Sequence, residues 1–282
     1  MRQRYTEELQ DFFGRHARIA VLTGAGCSTA SGIPEYRDDE GEWKHARPVQ
    51  YADFLTSAAT RQRYWARSYS GWPRISNANP NATHTALAAL DKTGRIAGLI
   101  TQNVDNLHRR AGSRSVIDLH GILERVRCLS CDEVSRRSDY QDRLQQANPE
   151  WVAAGGGVRP DGDVELGLIA TQNFKVPDCQ GCGGILKPDV VFFGETVPRE
   201  RVLESQTVIA DSDALLVVGS SLMVFSGYRF VRQAREAGKP IAILNRGKTR
   251  ADELADLRIN DDCGALLAAC AAEPATATGH YA

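Results

Sequence analysis

Four short stretches of the chain, residues 19–22, 95–100, 213–218 and 240–244, are mostly apolar and do not alternate between polar and apolar positions. Runs of this kind predict strands that are buried on both faces, as in a parallel sheet. This alternation of buried strands with helical segments predicts an α/β fold, a Rossmann-like parallel sheet with helices on both faces. The helical segments are predicted at 4–16, 50–70, 83–90, 199–210 and 228–237, with a further helix after a turn at 262.

The first strand leads into a glycine turn, Gly24-Ala-Gly26, and the small residues at 27–31 predict the start of a helix. Glycines let a ligand lie against the backbone, and a helix N-terminus favours phosphate. The segment therefore predicts a pyrophosphate cradle, with Tyr36 and Arg37 close by in sequence. Thr29 stands where the standard dinucleotide fingerprint has its third glycine, so the turn alone is equally compatible with a tight β–α connection.

Polar residues follow the other buried strands. Gln102 and Asn103 follow the second, Ser220 the third and Asn245 the fourth. The carboxyl ends of parallel strands lie at one edge of a sheet, where open α/β sheets bind ligands. Together the strand ends predict a polar crevice of dinucleotide length. His120 ends another short apolar run, and that segment alone favours a half-buried loop histidine.

Four of the seven cysteines form two C-x-x-C pairs, Cys128 with Cys131 and Cys179 with Cys182. In a chain without a secretion signal, such pairs indicate metal ligation before disulfides. Four thiolates suit one tetrahedral Zn²⁺, and the site is expected to be structural because no open position remains. The alternative is a set of unrelated buried thiols.

Composition and charge exclude several classes of function. The net charge is −1 over 282 residues, which offers no basic face for nucleic acid or acidic lipid. No apolar run approaches the roughly 20 residues of a membrane span. The N-terminus lacks the apolar region of a signal peptide, and its acidic residues argue against a transit peptide. We therefore expect a cytoplasmic protein that binds neither nucleic acid nor membrane.

Taken jointly and in this order, over about residues 10–270, the motifs resemble the sirtuins, a family of NAD-dependent protein lysine deacylases. The motifs are Gly24-Ala-Gly26 with Ser28, Gly32-Ile-Pro34 with Arg37, Thr101 to Asp105, His120-Gly121, the two C-x-x-C pairs, Pro188, Phe193-Gly-Glu195 and Gly219-Ser-Ser-Leu222. Residues 61–67, 186–194 and 226–230 resemble the class II branch, which includes a mitochondrial lipoamidase and ADP-ribosyltransferase. Because a mitochondrial targeting extension is missing, a bacterial relative is expected.

The resemblance implies that NAD is consumed as a co-substrate and does not carry a hydride. The acyl group passes from acyl-lysine to ADP-ribose, which releases nicotinamide and 2'-O-acyl-ADP-ribose. His120 would act as general base on the ribose hydroxyls. Asn103 and Asp105 would shape the pocket that weakens the bond to nicotinamide.

The resemblance also implies two sets of binding residues. The NAD contacts would be Gly24, Ala25, Gly26, Ser28, Glu35, Tyr36, Arg37, Gln102, Asn103, Asp105, Gly219, Ser220, Ser221, Asn245, Arg246 and Cys263. The acyl-lysine peptide would be flanked by Val191, Phe192, Phe193, Gly194, Glu195 and Val224. Tyr64 and Arg67 have a spacing that recognises acidic acyl groups in a related branch. We expect them to favour acyl chains with a carboxylate or other polar end, and the alternative is that they only pack the helical insert.

These features divide the chain into unequal parts. We expect a Rossmann-like NAD-binding domain at 1–125 and 186–272, with a helical insert at about 45–82. A zinc-binding small domain is expected at 126–185 and a disordered tail at 273–282. The loop at 155–173 resembles a class II insert that borders the acyl channel.

The chain departs from the family's pattern at several positions. Glu35 and Tyr36 stand where many relatives carry Asp and Phe, and Lys187 stands where arginine is frequent. After Val224 comes Phe-Ser-Gly in place of the common Pro-Ala, which puts peptide recognition in question.

Two alternative functions use the same residues. A protein mono-ADP-ribosyltransferase would need the NAD site but no acyl-lysine. A non-catalytic sensor of NAD or ADP-ribose would not need a base such as His120. The partners expected for the main function are acyl-lysine proteins or peptides, and a monomer is expected.

Overall fold

The computed structural model describes residues 1–44, 48–151 and 171–272. Six strands form its central sheet: β1 (Ile19–Thr23), β2 (Ile96–Thr101), β3 (Val116–Asp118), β7 (Ala214–Val218), β8 (Ile241–Leu244) and β9 (Leu257–Ile259). Their order is β3-β2-β1-β7-β8-β9, and every neighbouring pair is parallel. The predicted α/β fold with a Rossmann-like parallel sheet is confirmed.

Helices cover both faces of this sheet. The helices are α1 (Arg2–Arg15), α2 (Tyr51–Thr56), α3 (Ala58–Asn77), α4 (Ala82–Lys92), α5 (Leu107–Arg110), α6 (Arg137–Ala147), α7 (Arg199–Ala210), α8 (Phe225–Glu236) and α9 (Cys263–Ala272). Helices α1, α4 and α9 pack on one face, and α7 and α8 pack on the other. Among the described residues, no helix is both long and apolar enough to cross a membrane.

The strands of the central sheet are apolar at successive positions because each face has its own core. Successive side chains of a strand point to opposite faces. Ile19 and Val21 of β1 therefore enter the core under α1, α4 and α9, while Ala20 and Leu22 enter the core under α7 and α8. All five residues of β1 are buried, as the unbroken apolar run predicts.

A second, antiparallel sheet begins directly after His120. Its strands are β4 (Gly121–Cys128), β5 (Val134–Arg136) and β6 (Leu186–Val190), in the order β5-β4-β6. It shares a third core with α3 and α6, in which the ring centroids of Trp65 and Tyr140 lie 4.6 Å apart. This sheet extends beyond the range 126–185 at both ends, and the predicted domain division remains a prediction.

Several elements were not predicted from the sequence. Strands β4, β5 and β9 and helices α5 and α6 are absent from the predicted pattern, and α8 begins at Phe225, three residues before the predicted start. The tail at 273–282 and most of the loop at 155–173 lie outside the described residues.

Candidate active site and metal centre

One large cavity, with a volume of about 500 Å³, opens at the carboxyl ends of the central strands. It is lined by Gly24 after β1, Gln102 after β2, Gly219 after β7 and Asn245 after β8. The polar strand ends therefore meet in one crevice. Its volume is within the range of small-molecule sites, roughly 300–1,000 Å³.

The structure brings most of the predicted NAD and substrate residues to this cavity. Those that line it are Gly24, Ala25, Gly26, Ser28, Glu35, Tyr36, Arg37, Tyr64, Gln102, Asn103, Asp105, His120, Val191, Phe192, Phe193, Gly194, Glu195, Gly219, Ser220, Ser221, Val224, Asn245 and Arg246. Arg67 and Cys263 are the predicted residues that do not line it. The Cys263 thiol is buried and faces the carbonyl oxygen of Leu244, at 3.6 Å.

Two glycine turns pack against each other at the floor of the cavity. The backbone N–H of Gly26 donates to the carbonyl of Gly219 at 2.8 Å. A Cβ on Gly24 would lie 2.7 Å from the Cβ of Ser220, and one on Gly219 would lie 2.5 Å from the backbone nitrogen of Cys27. Only glycine permits this approach, so the cavity floor is bare backbone of the kind that can accommodate a pyrophosphate.

The prediction that a helix begins at 27–31 is wrong. Residues Ala25–Cys27 and Thr29–Ser31 form two single 3₁₀ turns, and Gly32 adopts φ +82°. A left-handed residue directly after the second turn prevents its continuation as an α-helix. The cradle therefore has no α-helix N-terminus behind it, and the glycines contribute by letting a ligand approach the backbone closely.

Three polar side chains are cross-linked along one wall of the cavity. Ser28 Oγ donates to Asp105 Oδ2 at 2.6 Å, and Asn103 Nδ2 donates to the Gly24 carbonyl at 3.0 Å and to Ser28 Oγ at 3.1 Å. Burial raises the pKa of Asp105, while hydrogen bonds from Ser28 and the backbone of Leu107 oppose the shift. These bonds fix the amide and the carboxyl group beside the cradle.

His120 is held at both ring nitrogens. Its Nδ1 lies 3.0 Å from the carbonyl oxygen of Gln102, and its Nε2 lies 2.8 Å from Ser226 Oγ. A carbonyl only accepts, so Nδ1 carries the hydrogen and Nε2 accepts from the serine hydroxyl. Burial lowers the pKa of His120 to about 4. The imidazole is therefore neutral near pH 7 and has the lone pair that a general base needs.

Aromatic rings and Arg37 form a second wall. The Arg37 guanidinium carbon lies 4.1 Å from the centroid of the Trp43 ring, and its Nη1 donates to the carbonyl of Gly41 at 2.6 Å. Trp43 meets Phe193 edge to face, with centroids 5.6 Å apart, and Tyr36 contacts both rings. This wall joins the segment after the cradle to the segment after β6.

The segment after β6 is folded around Glu195. The Glu195 carboxylate accepts from the backbone N–H of Phe192 at 2.7 Å and from Lys187 Nζ at 3.1 Å. Lys187 is buried and also donates to the carbonyls of Pro188 and Val190. Lys187 is not among the predicted site residues, although a lysine inside an apolar run indicates a buried partner.

The sulfur atoms of Cys128, Cys131, Cys179 and Cys182 all lie within 4.8 Å of one another. Cys128 Sγ is 3.5 Å from Cys182 Sγ, and Cys131 Sγ is 3.8 Å from Cys179 Sγ. A tetrahedron with metal–sulfur distances of about 2.3 Å places its sulfurs about 3.8 Å apart. The four thiolates therefore fit a tetrahedral structural metal, as the C-x-x-C pairs predicted.

Comparison with known proteins gives the same family from sequence and from structure. The Sir2 family model matches residues 24–226. The chain is 56% identical to an NAD-dependent protein deacetylase of Xanthomonas axonopodis pv. citri, covering 94% of this chain and 91% of that protein. It is 49% identical to the NAD-dependent protein deacylase Sirt4 of Drosophila melanogaster, covering 93% and 85%.

Solved structures agree. A Sir2 complex with a p53 peptide and NAD⁺ superposes with a TM-score of 0.73 at 29% identity and covers 92% of this chain and 94% of that one. A structure described for the mechanism and regulation of Sir2 enzymes has a TM-score of 0.75 at 28% identity, covering 96% and 97%.

Proposed function

The chain belongs to the Sir2 family, and we propose that it is an NAD-dependent protein deacylase. It transfers the acyl group of acyl-lysine to ADP-ribose and releases nicotinamide and 2'-O-acyl-ADP-ribose. The observation that carries this proposal is that one cavity contains both the glycine cradle and His120, whose Nδ1 donates to the Gln102 carbonyl and so leaves Nε2 as the acceptor nitrogen. The related deacetylases at about 55% identity support the same activity.

The residues of the cavity divide into three roles. Gly24, Ala25 and Gly26 bind the pyrophosphate of NAD, and Arg37 closes over the nicotinamide side. Asn103 and Asp105 orient the nicotinamide end, which their cross-links with Ser28 support. Ser220, Asn245 and Arg246 bind the adenosine half. NAD supplies a glycosidic bond to nicotinamide whose cleavage drives acyl transfer.

His120 serves as the general base. It is neutral at physiological pH because burial lowers its pKa, so Nε2 can take a proton from a ribose hydroxyl once the acyl group has been captured. The Gln102 carbonyl holds the ring in the tautomer that leaves Nε2 without a hydrogen.

The acyl-lysine peptide lies against Phe193, Gly194 and Glu195 on one side and Val224 on the other, and it adds as an extended strand. The Zn²⁺ site is structural and stabilises the small domain, which we assign to 126–185. Similarity to Sirt4 supports the class II assignment. A cytoplasmic location remains a prediction.

The experiment that tests the function incubates the protein with NAD and a panel of acetyl, crotonyl, succinyl, glutaryl and lipoyl peptides, read by mass spectrometry. Deacylated peptide and acyl-ADP-ribose are expected in equal amounts, and His120→Tyr should abolish both. Failure to deacylate any peptide in an NAD-dependent way would disprove the proposal. ADP-ribosylated protein without deacylation products would favour the transferase instead.

The acyl preference has its own test. Tyr64 lines the cavity, and Arg67 follows one turn later on α3 but does not line it. We propose that the pair nevertheless favours acyl groups with a polar or carboxylate end. Arg67→Ala should then lower the ratio of succinyl to acetyl turnover, with kcat/KM for both peptides as the measurement. An unchanged ratio would mean that Arg67 only packs the helical insert.

A further inference from the structure

Nε2 of His120 is already occupied by a hydrogen bond. A neutral imidazole has one in-plane lone pair, here on Nε2, and it accepts the Ser226 hydroxyl at 2.8 Å. A substrate hydroxyl can therefore pass its proton to Nε2 in two ways. Either the Ser226 hydroxyl gives up its hydrogen bond to Nε2, or the proton is transferred through the Ser226 hydroxyl.

The architecture around Ser226 favours the second route. Ser226 lies in the first turn of α8 and lines the cavity together with His120. The next residue, Gly227, packs against Gln102, because a Cβ there would lie 2.5 Å from Gln102 Oε1. Gln102 supplies the carbonyl that holds Nδ1. The same packed contact thus fixes both nitrogens of His120, and Ser226 is held beside the ring by the position of its helix.

The Ser226 hydroxyl oxygen can accept a further hydrogen bond. It donates one hydrogen bond, and within the described residues it accepts none, so its lone pairs remain available on a side chain that lines the cavity. A ribose hydroxyl in the cavity can donate to this oxygen while Ser226 continues to donate to Nε2.

Positive charge is present on the helix that carries Ser226. The N-terminus of the 12-residue helix α8 carries partial positive charge within its first turn. Arg229, three residues later on α8, also lines the cavity. Its Nε is buried without a hydrogen-bond partner among the described residues, and its guanidinium lies 5.3 Å from the Phe225 ring centroid. No carboxylate within the described part of the chain neutralises this cation.

We propose that Ser226 relays the proton from the substrate ribose hydroxyl to His120, an inference that rests on the proposed deacylase function. The ribose O–H bond breaks as a new O–H bond forms on Ser226 Oγ. The proton that Ser226 held passes to Nε2, which makes His120 an imidazolium. The ribose oxygen keeps the electron pair with which it attacks the acyl carbon. Arg229 lies on the same helix, and its charge adds to burial in lowering the pKa of His120, which favours return of the proton from the imidazolium afterwards.

The test separates the steps before and after proton removal. Nicotinamide cleavage precedes the base step, so exchange of labelled nicotinamide into NAD in the presence of acyl peptide reports the earlier steps alone. Ser226→Ala should leave this exchange within about twofold of wild type and lower formation of acyl-ADP-ribose about tenfold or more. Ser226→Thr, which keeps the hydroxyl, should retain most product formation.

A proton inventory adds a readout that a purely structural role would not move. In mixtures of H₂O and D₂O, two protons in flight give a curved dependence of the product-forming rate on deuterium fraction, and Ser226→Ala should make it linear. Tyr228→Phe is the matched control, because it removes a hydroxyl from the same turn of α8 outside the cavity lining.

The outcomes distinguish failure of the Ser226 relay from failure of the proposed deacylase function. A wild-type protein that deacylates no peptide contradicts the proposed function. An active wild type, an inactive His120→Ala and a Ser226→Ala variant with product formation within twofold of wild type contradict the relay alone. The relay also fails if exchange and product formation fall by the same factor in Ser226→Ala, because that result indicates a general loss of structure.

Discussion

Single side chains determine the shape of the segment after β6, and Lys187 is the clearest case. Its ammonium group lies 4.8 Å from the Phe192 ring centroid and 3.1 Å from Glu195 Oε2. Its side chain is 5% exposed, against 19% for Glu195. The lysine thus joins strand β6 to the turn that follows it, and burial lowers its pKa while Glu195 opposes that shift.

Lys187→Met should disturb peptide binding more than NAD binding. Removing one partner of a buried ion pair leaves the other charge uncompensated, at a cost on the order of 3 kcal/mol. We expect a lower melting temperature and a raised KM for the acyl peptide, with KM for NAD nearly unchanged, measured by steady-state kinetics.

Two further variants complete the Lys187 experiment. Lys187→Arg should restore most of the peptide affinity because it keeps the charge. Lys175→Met changes an exposed lysine and is the control for loss of charge alone. If Lys187→Met leaves both KM values unchanged, the ion pair does not shape the turn.

Among the elements, β4 and β6 approach each other closely where their pairing begins, directly after His120. Gly121, at the start of β4, adopts φ +82°, and a Cβ there would lie 2.0 Å from the carbonyl oxygen of Asp189. Val191 N donates to the carbonyl of His120 at 2.8 Å. The glycine after the histidine is therefore required by its left-handed backbone and by the close approach of the β6 backbone.

Gly121→Ala should destabilise the protein severely. The substitution combines a strained left-handed residue with an overlap of backbone atoms, and we expect a loss of roughly 3 kcal/mol or more in the free energy of unfolding. Gly14→Ala is the matched control, because a Cβ there meets nothing within 4 Å and Gly14 lies in helix α1.

The control should be neutral or stabilising by about 0.5–1 kcal/mol. Urea unfolding of the two variants and wild type gives the comparison. Equal stability of Gly121→Ala and wild type would contradict the close approach of the two backbones at Gly121.

The sequence predicts a strand well where all of its residues are buried, and poorly where buried and exposed residues are mixed. The unbroken apolar runs of β1, β7 and β8 identify buried parallel strands, and all of their residues are buried. Strand β9 contains Arg258 and has one buried residue of three, so its pattern resembles a loop. The helix expected at 27–31 does not form because Gly32 ends the second short turn, which composition alone does not reveal.

At the scale of the whole molecule, the candidate site was predictable because parallel topology gathers strand ends. Gly24, Gln102, Ser220 and Asn245 are far apart in sequence and adjacent in the cavity. Contacts that depend on packing between distant elements were not predictable. The Ser226 hydroxyl reaches His120 only because α8 packs against Gln102.

Acid should destabilise the whole fold. His84 and His108 are buried with ring centroids 4.7 Å apart, and His84 Nε2 and His108 Nδ1 are buried without partners among the described residues. Burial lowers the pKa of His84 to about 4 and the pKa of His108 well below its usual value, the latter also through repulsion from His84. The folded state therefore resists protonation of both rings.

The free energy of unfolding should decrease as the pH falls. The unfolded chain protonates these histidines near pH 6.5, so their contribution to stability is complete above that pH and is lost as the pH drops from 6.5 towards 4. Each pKa unit corresponds to about 1.4 kcal/mol per group. Burial raises the pKa of Asp105 and Asp118, which acts in the opposite direction at the acidic end.

Urea unfolding at pH 8, 6.5 and 5 measures the effect, and His84→Gln should flatten the slope between pH 6.5 and 5. A free energy of unfolding that does not change between pH 8 and 5 would contradict the proposed role of the buried histidines.

Strand β4 begins directly after His120, the proposed general base, and its last residue is Cys128, one of the four cysteines that fit a metal. Gly121 pairs with Val190 at one end, and Cys128 pairs with Leu186 at the other. The strand therefore spans the roughly 25 Å between His120 and the metal centre, and we expect loss of zinc to disturb the position of His120. Chelation or Cys179→Ser should lower deacylation while NAD binding, measured by calorimetry, is largely retained.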